Sequence, residues 1–182
     1  MRVLLDANVL FPTVLREVLL GVAAAGLYAP LWSARVLEEW ARATRKLGPG
    51  AEGQARAEIA ALTARWPRAL VAASPATEAR LWLPDPHDIH VLAAAVDGSA
   101  DLIVTFNRRD FPRGEVAGEG IGLRDPDGFL MDRWLDAPAA VAGVAAEVRE
   151  RAAAMGHPMT VRALLKRSGL PRLGRALDPP GG

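Results

Sequence analysis

The stretch "LPDPHDIHVLAAAVDGSADLIVTFNRRDFP" (residues 83–112) reads as a helix running into a strand. Asp85 has the chemistry of a helix cap, and Pro86 suits a first turn, where its missing N–H leaves no bond unmade. Ile89, Leu92 and Val96 recur at helical spacing, and the alanines between them favour helix. Leu102, Ile103 and Val104 form an aliphatic run without alternation, the pattern of a strand covered on both faces. The strand is expected to end at Thr105 and to run into a polar turn holding Asn107 and Asp110 before Pro112.

The same alternation extends along the chain. Residues 2–6 read as a short buried strand, followed by a helix from Pro12 to about Ala25 that Gly26 ends. "LYAPLW" (27–32) reads as a second strand, and Ser33 can cap a helix over 34–47. Residues 51–66 read as a further helix and 69–73 as a weak strand. Beyond 113 the reading gives turns, a short strand, then helical segments near 127–135, 138–155 and 160–168. Strands alternating with helices imply crossover connections and a parallel central sheet with helices on both faces. The expected class is α/β, with a main domain over 1–135 and a small helical extension over 136–182. The tail "DPPGG" (178–182) is expected to be disordered.

Composition narrows the chemistry. The 182 residues carry no cysteine, which excludes disulfide scaffolds, zinc–thiolate sites and cysteine nucleophiles. The charges nearly balance, 22 basic against 21 acidic, so the sum speaks neither for nor against a nucleic-acid partner. No apolar run approaches the ~20 residues of a membrane span, and a signal-peptide pattern is absent, so a cytoplasmic protein is the expectation. "GPGAEG" (48–53) matches a nucleotide-binding glycine pattern but follows a helix, which is the wrong context. His87 and His90 stand three apart without further ligands for zinc, and His90 is expected to flank the acids or to close the helix packing.

Several acids remain. Asp6 ends the first strand, where an uncompensated carboxylate is costly to bury. Asp88 sits where a capping-box acid would, yet lies beside the apolar stripe of its helix. Asp110 follows the strand that ends at Thr105, and of the adjacent Glu38 and Glu39 the second lies closer to the apolar edge of its helix. Each acid has an ordinary explanation as a cap, a turn residue or a solvated helix face. Together, four carboxylates on separate elements of one sheet would repel one another unless divalent cations sat among them. Oxygen-rich sites poor in histidine suit Mg²⁺ or Mn²⁺.

The pattern resembles the PIN-domain ribonucleases, including the toxins of VapC-type toxin–antitoxin pairs. The matching stretches are "LLDANVLFP" (4–12), "WSARVLEEW" (32–40), residues 83–112 and "DPDGFLMDRWL" (125–135). The resemblance implies an α/β/α nuclease that hydrolyses RNA with Mg²⁺ or Mn²⁺, usually a homodimer and restrained by an antitoxin. It assigns the metal and catalytic acids to Asp6, Glu39, Asp88 and Asp110, with Asn8, Thr105 and Asn107 in support; Asp85, the cap beside Asp88, is counted as a further supporting residue. Many members carry an acid where this chain has Asn107, an amide that adds no negative charge, which bears on whether one or two metals bind. Arg108 and Arg109 are candidate RNA contacts, since a guanidinium fork suits phosphate. Two alternatives stand beside this reading. One is a catalytically weak PIN scaffold acting through partners. The other is a phosphatase on a doubly wound sheet, which would want an aspartate at Asn8.

Overall fold

In the computed structural model, which describes residues 1–178, the first aliphatic run is β1 (Arg2–Leu5). Its Val3, Leu4 and Leu5 expose no surface. The other strands are β2 (Ala29–Ser33), β3 (Leu70–Val71), β4 (Leu102–Val104) and β5 (Gly122–Arg124). They form one sheet in the order β3-β2-β1-β4-β5, and every neighbouring pair is parallel. The helices in chain order are α1 (Ala7–Leu10), α2 (Thr13–Ala24), α3 (Ala34–Ala43), α4 (Ala51–Arg65), α5 (Pro75–Arg80), α6 (Ile89–Asp97), α7 (Arg113–Gly118), α8 (Pro126–Asp136), α9 (Pro138–Ala154), α10 (Val161–Arg167) and α11 (Pro171–Leu177). The expected α/β class with a parallel sheet is therefore what the chain adopts. Most of the "DPPGG" tail falls on residues 179–182, outside the described residues. No helix among the described residues is long and apolar enough to cross a membrane.

The chain divides into two compact units, Met1–Phe11 with Ala29–Arg124, and Pro12–Tyr28 with the chain from Asp125 onward. The first holds the sheet. Trp32 on β2 and Trp40 on α3 are almost wholly buried, as are Val91 to Ala95 on α6, which packs against β1, β2 and β4. Alanine at these α6 positions lets the helix lie close to the strands. Helix starts follow the local chemistry: Ser33 Oγ accepts from the Val36 N–H at the head of α3, and Ser74 Oγ accepts from Thr77 with Pro75 in the first turn of α5.

In the second unit α2 packs along α9. Gly21 makes the approach possible, because a Cβ there would stand 2.5 Å from Val144 Cγ1. Tyr28 donates to the Leu19 carbonyl at 2.8 Å and meets Phe129 edge-on at 5.0 Å. Asp127, a buried acid on α8, accepts from the Arg172 and Leu173 N–H groups at 2.9 and 3.0 Å. It thereby caps α11 from another element.

The sheet order places the functional crevice. From β1 the chain proceeds to β2 on one side, while β4 lies on the other. The reversal of direction falls between β1 and β4, and in open parallel sheets ligands bind beyond the strand ends at such a point. The register pairs Leu5 with Val104, so the next residues, Asp6 and Thr105, emerge side by side.

Candidate metal centre

Asp6 is 5 % exposed and has no basic partner within salt-bridge distance among the described residues. It is held by three neutral donors: the Ala7 N–H and Asn8 Nδ2 at 2.6 Å each, and Thr105 Oγ1 at 2.7 Å. The Ala7 bond also caps α1. Burial nonetheless holds the Asp6 carboxyl above its ordinary range, against the Thr105 and Ala7 hydrogen bonds, and the charge of Glu39 adds to the rise.

Thr105 and Asn8 are saturated around it. Thr105, wholly buried, donates to Asp6 and accepts from Asn8 Nδ2 at 2.9 Å and from the Asn107 N–H at 3.0 Å. Asn8 Oδ1 accepts from the Phe106 N–H at 3.1 Å. These bonds fix the path of the loop after β4.

That loop carries Asn107 and Asp110. Asn107 Nδ2 donates to Asp110 Oδ2 at 2.6 Å and to Asp88 Oδ2 at 3.2 Å, bridging two carboxylates with one amide. Asp85, Asp88 and Asp110 form the tight group: one carboxylate oxygen from each lies within 4.8 Å of the others. Arg108 and Arg109 are exposed on the same loop.

The two acids ahead of α6 have different tasks. Asp85 Oδ1 accepts from the His87 N–H at 2.9 Å, capping the 3₁₀ turn Pro86–Asp88. Asp88 stands at the head of α6 but makes no capping bond. Its carboxyl is pushed up to about 6, first by burial, then by the charges of Asp6, Asp85 and Asp110, with His90 opposing. A rise of that origin marks carboxylates crowded without enough counter-charge.

Glu39 lies outside the tight group. It projects from α3, 40 % exposed, with Oε1 2.8 Å from His90 Nε2 and 3.6 Å from Arg35 Nε. Glu38, its neighbour, turns away to Arg42 and Arg56. His87 is exposed while His90 is 2 % exposed, so the two do not form a paired ligand set. Sequence reading gave Asp85 only a supporting place beside its role as a cap; its carboxylate also belongs to the tightest acid group. The sign was available in the Asp85/Asp88 spacing, since one helical turn brings i and i+3 to one side.

The donor set is all oxygen and anionic, which fits a hard divalent cation rather than zinc or copper. The PIN-domain family model matches residues 2–109, more than half of the chain. Comparison with curated proteins and with solved structures yields no match.

Proposed function

Because the chain belongs to the PIN-domain family, a nuclease superfamily, we propose that it is a divalent-metal-dependent endoribonuclease and the toxin half of a toxin–antitoxin pair. The observation that carries the reading is the crowding of Asp85, Asp88 and Asp110 within 4.8 Å beside the loop that follows β4. Asp88 and Asp110, with Asp6 and Glu39, hold Mg²⁺ or Mn²⁺ in this reading, and Asp85 lends a further oxygen. When bound, such an ion activates water at neutral pH and offsets the charge that develops on a phosphodiester.

The residues around the acids keep them in place. Thr105 and Asn8 hold Asp6 at the end of β1, and Asn107 holds Asp110 toward Asp88. Arg108 and Arg109 meet RNA phosphates. Partners in this reading are RNA, a second copy of the chain, and a separately encoded antitoxin that occupies the acidic crevice.

The test is cleavage of single-stranded RNA by protein cleared of contaminating nuclease. Cleavage with Mg²⁺ or Mn²⁺, lost in excess chelator and in Asp110→Asn, is expected. Cleavage that persists in chelator would overturn the metal mechanism. The toxin role is tested separately: induced expression should halt growth, and co-expression of a neighbouring antitoxin gene should restore it.

A further inference from the structure

His90 has an unmet need. Its ring is buried on α6, two residues after Asp88, and neither Nδ1 nor Nε2 has a hydrogen-bond partner among the described residues. A buried imidazole that loses its bonds to water without replacing them is destabilising. The nearest acceptor is Glu39 Oε1, 2.8 Å from Nε2 but off the axis of a ring N–H bond. Glu39 needs a fixed position too. It is partly exposed on a helix surface, and its other ionic neighbour, Arg35, is exposed and stands at 3.6 Å. A long flexible side chain so placed samples several rotamers unless something buried selects one.

We infer that His90 is a positioning residue: it holds one oxygen of Glu39 through Nε2 and so presents the Glu39 carboxylate to the acids at the head of α6. The inference rests on the metal-site reading above. It separates the two glutamates of α3 by mechanism, since Glu38 is held by arginines and Glu39 by a buried ring. His90 itself touches neither substrate nor metal in this role. Partners that orient a metal's ligands typically change metal affinity by ~10–100-fold when removed.

The experiment measures Mn²⁺ binding without RNA, by calorimetry and by the electron paramagnetic resonance of free Mn²⁺. His90→Phe keeps the bulk of the ring and removes the donor, so affinity should fall at least ~10-fold. His90→Gln supplies an amide nitrogen near the place of Nε2 and should restore most of it. In a Glu39→Ala background, which leaves Nε2 no oxygen to hold, His90→Phe should add no further loss. Folded His90→Phe that binds like the wild type overturns the inference and leaves the metal site standing, as does a loss undiminished in the Glu39→Ala background. Wild-type protein that binds no Mn²⁺ overturns the metal site and the inference together. Should His90→Phe fail to fold, the ring-nitrogen resonances of His90 in the metal-free protein decide. They should move in Glu39→Ala and stay in Glu38→Gln; no movement in either overturns the inference.

Discussion

Thr105 Oγ1 donates to Asp6 Oδ2 across 2.7 Å, joining residues 99 positions apart in the chain. The bond follows from the sheet. Leu5 and Val104 are register partners on adjacent parallel strands, so the residues after them meet at the strand ends. A buried carboxylate without a cation then depends on neutral donors, and Thr105 is one of three. Thr105→Val keeps the shape and removes the hydroxyl. It also removes the acceptor of the Asn107 N–H and one of the two acceptors of the Asn8 amide, which keeps its bond to Asp6. The expected cost is about 1–3 kcal/mol in urea unfolding, with Thr105→Ser retaining most of the stability. A loss under a few tenths of a kcal/mol in Thr105→Val would mean that water replaces the hydroxyl.

Asp88 decides whether the head of α6 is a cap or a ligand site. Its carboxylate makes no capping bond, while Asp85 supplies the cap of the preceding turn. Asp88→Asn should therefore hold or raise Tm in chelator, because it removes one of several mutually repelling charges. The same change should remove most of the stabilisation by Mn²⁺, which for the unaltered protein at 100 times Kd is ~2.7 kcal/mol. Thermal melts of both proteins, with metal and with chelator, measure this. Equal metal shifts would show that Asp88 is not a ligand.

The pH dependence has a definite sign. The Asp88 carboxyl is raised to about 6 in the metal-free fold, and Asp6 is raised as well. In the unfolded chain an aspartate ionises near 3.9. Between these values the folded state binds more protons than the unfolded one, so stability falls as pH rises. In chelator, the Tm of the wild type relative to that of Asp88→Asn should therefore decline from about pH 4 through about pH 6, a difference that cancels the opposite contribution of carboxylates such as Glu38 that are held low in both proteins. Screening keeps the Asp88 share small, because the residue is partly exposed. A wild-type Tm that climbs relative to Asp88→Asn through the same window would contradict the crowding.

Some of this was readable in the sequence and some was not, for physical reasons. Buried strands announce themselves by aliphatic runs, so β1 and β4 stood out, and with them the strand ends that carry Asp6 and Thr105. The expected helices over 12–25, 51–66 and 138–155 correspond to α2, α4 and α9 within a residue or two. The short elements α1, α5 and α7 are not among the expected helices, and α11 falls within the expected helical extension without bounds of its own. A helix of four to seven residues has too little periodicity to read, and three of these are capped by side chains: Asp6 for α1, Ser74 for α5, and Asp127 from a distant helix for α11. The helix expected over 34–47 is α3 followed by a 3₁₀ turn over Thr44–Leu47. For His90 the sequence offers a place beside the acids or in the helix packing, and the buried ring beside Glu39 agrees with that expectation, but its partner was not legible. Its neighbours Ile89 and Val91 show the helix face only coarsely, and its nearest acceptor lies on α3, some fifty residues earlier in the chain.

Asp127 provides a test in the second unit. Its two oxygens take the N–H groups of Arg172 and Leu173, which begin a seven-residue helix too short to persist alone. Asp127→Ala should cost about 1–2 kcal/mol, the upper part of the range for a lost cap. The loss should be local: hydrogen exchange of the α11 amides should accelerate by roughly tenfold or more, while β1 and β4 amides change little. Uniform acceleration across both units would point to a global defect instead.

The last prediction concerns the adjacent acids of α3. Successive helical residues project about 100° apart, so Glu38 and Glu39 cannot both face the crevice. Glu38 accepts from Arg42 Nε at 2.7 Å and from Arg56 Nη1 and Nη2 at 2.9 and 3.1 Å, which hold its carboxyl at about 2. These pairs are solvent-exposed, and water and salt screen exposed pairs so that they contribute little to stability. Glu38→Gln should therefore leave Mn²⁺ affinity and RNA cleavage near wild-type levels and lower Tm only slightly. Glu39 reaches His90 and acts on Asp6. Glu39→Gln should keep the fold and lower both Mn²⁺ affinity and cleavage, each by roughly tenfold or more if its carboxylate serves the metal. The pair is informative because the two substitutions make the same chemical change one residue apart, so a general effect of lost negative charge would act on both. If Glu38→Gln is the damaging variant and Glu39→Gln is silent, the face of α3 turned toward Asp6 has been misassigned, and the His90–Glu39 contact has no part in the site.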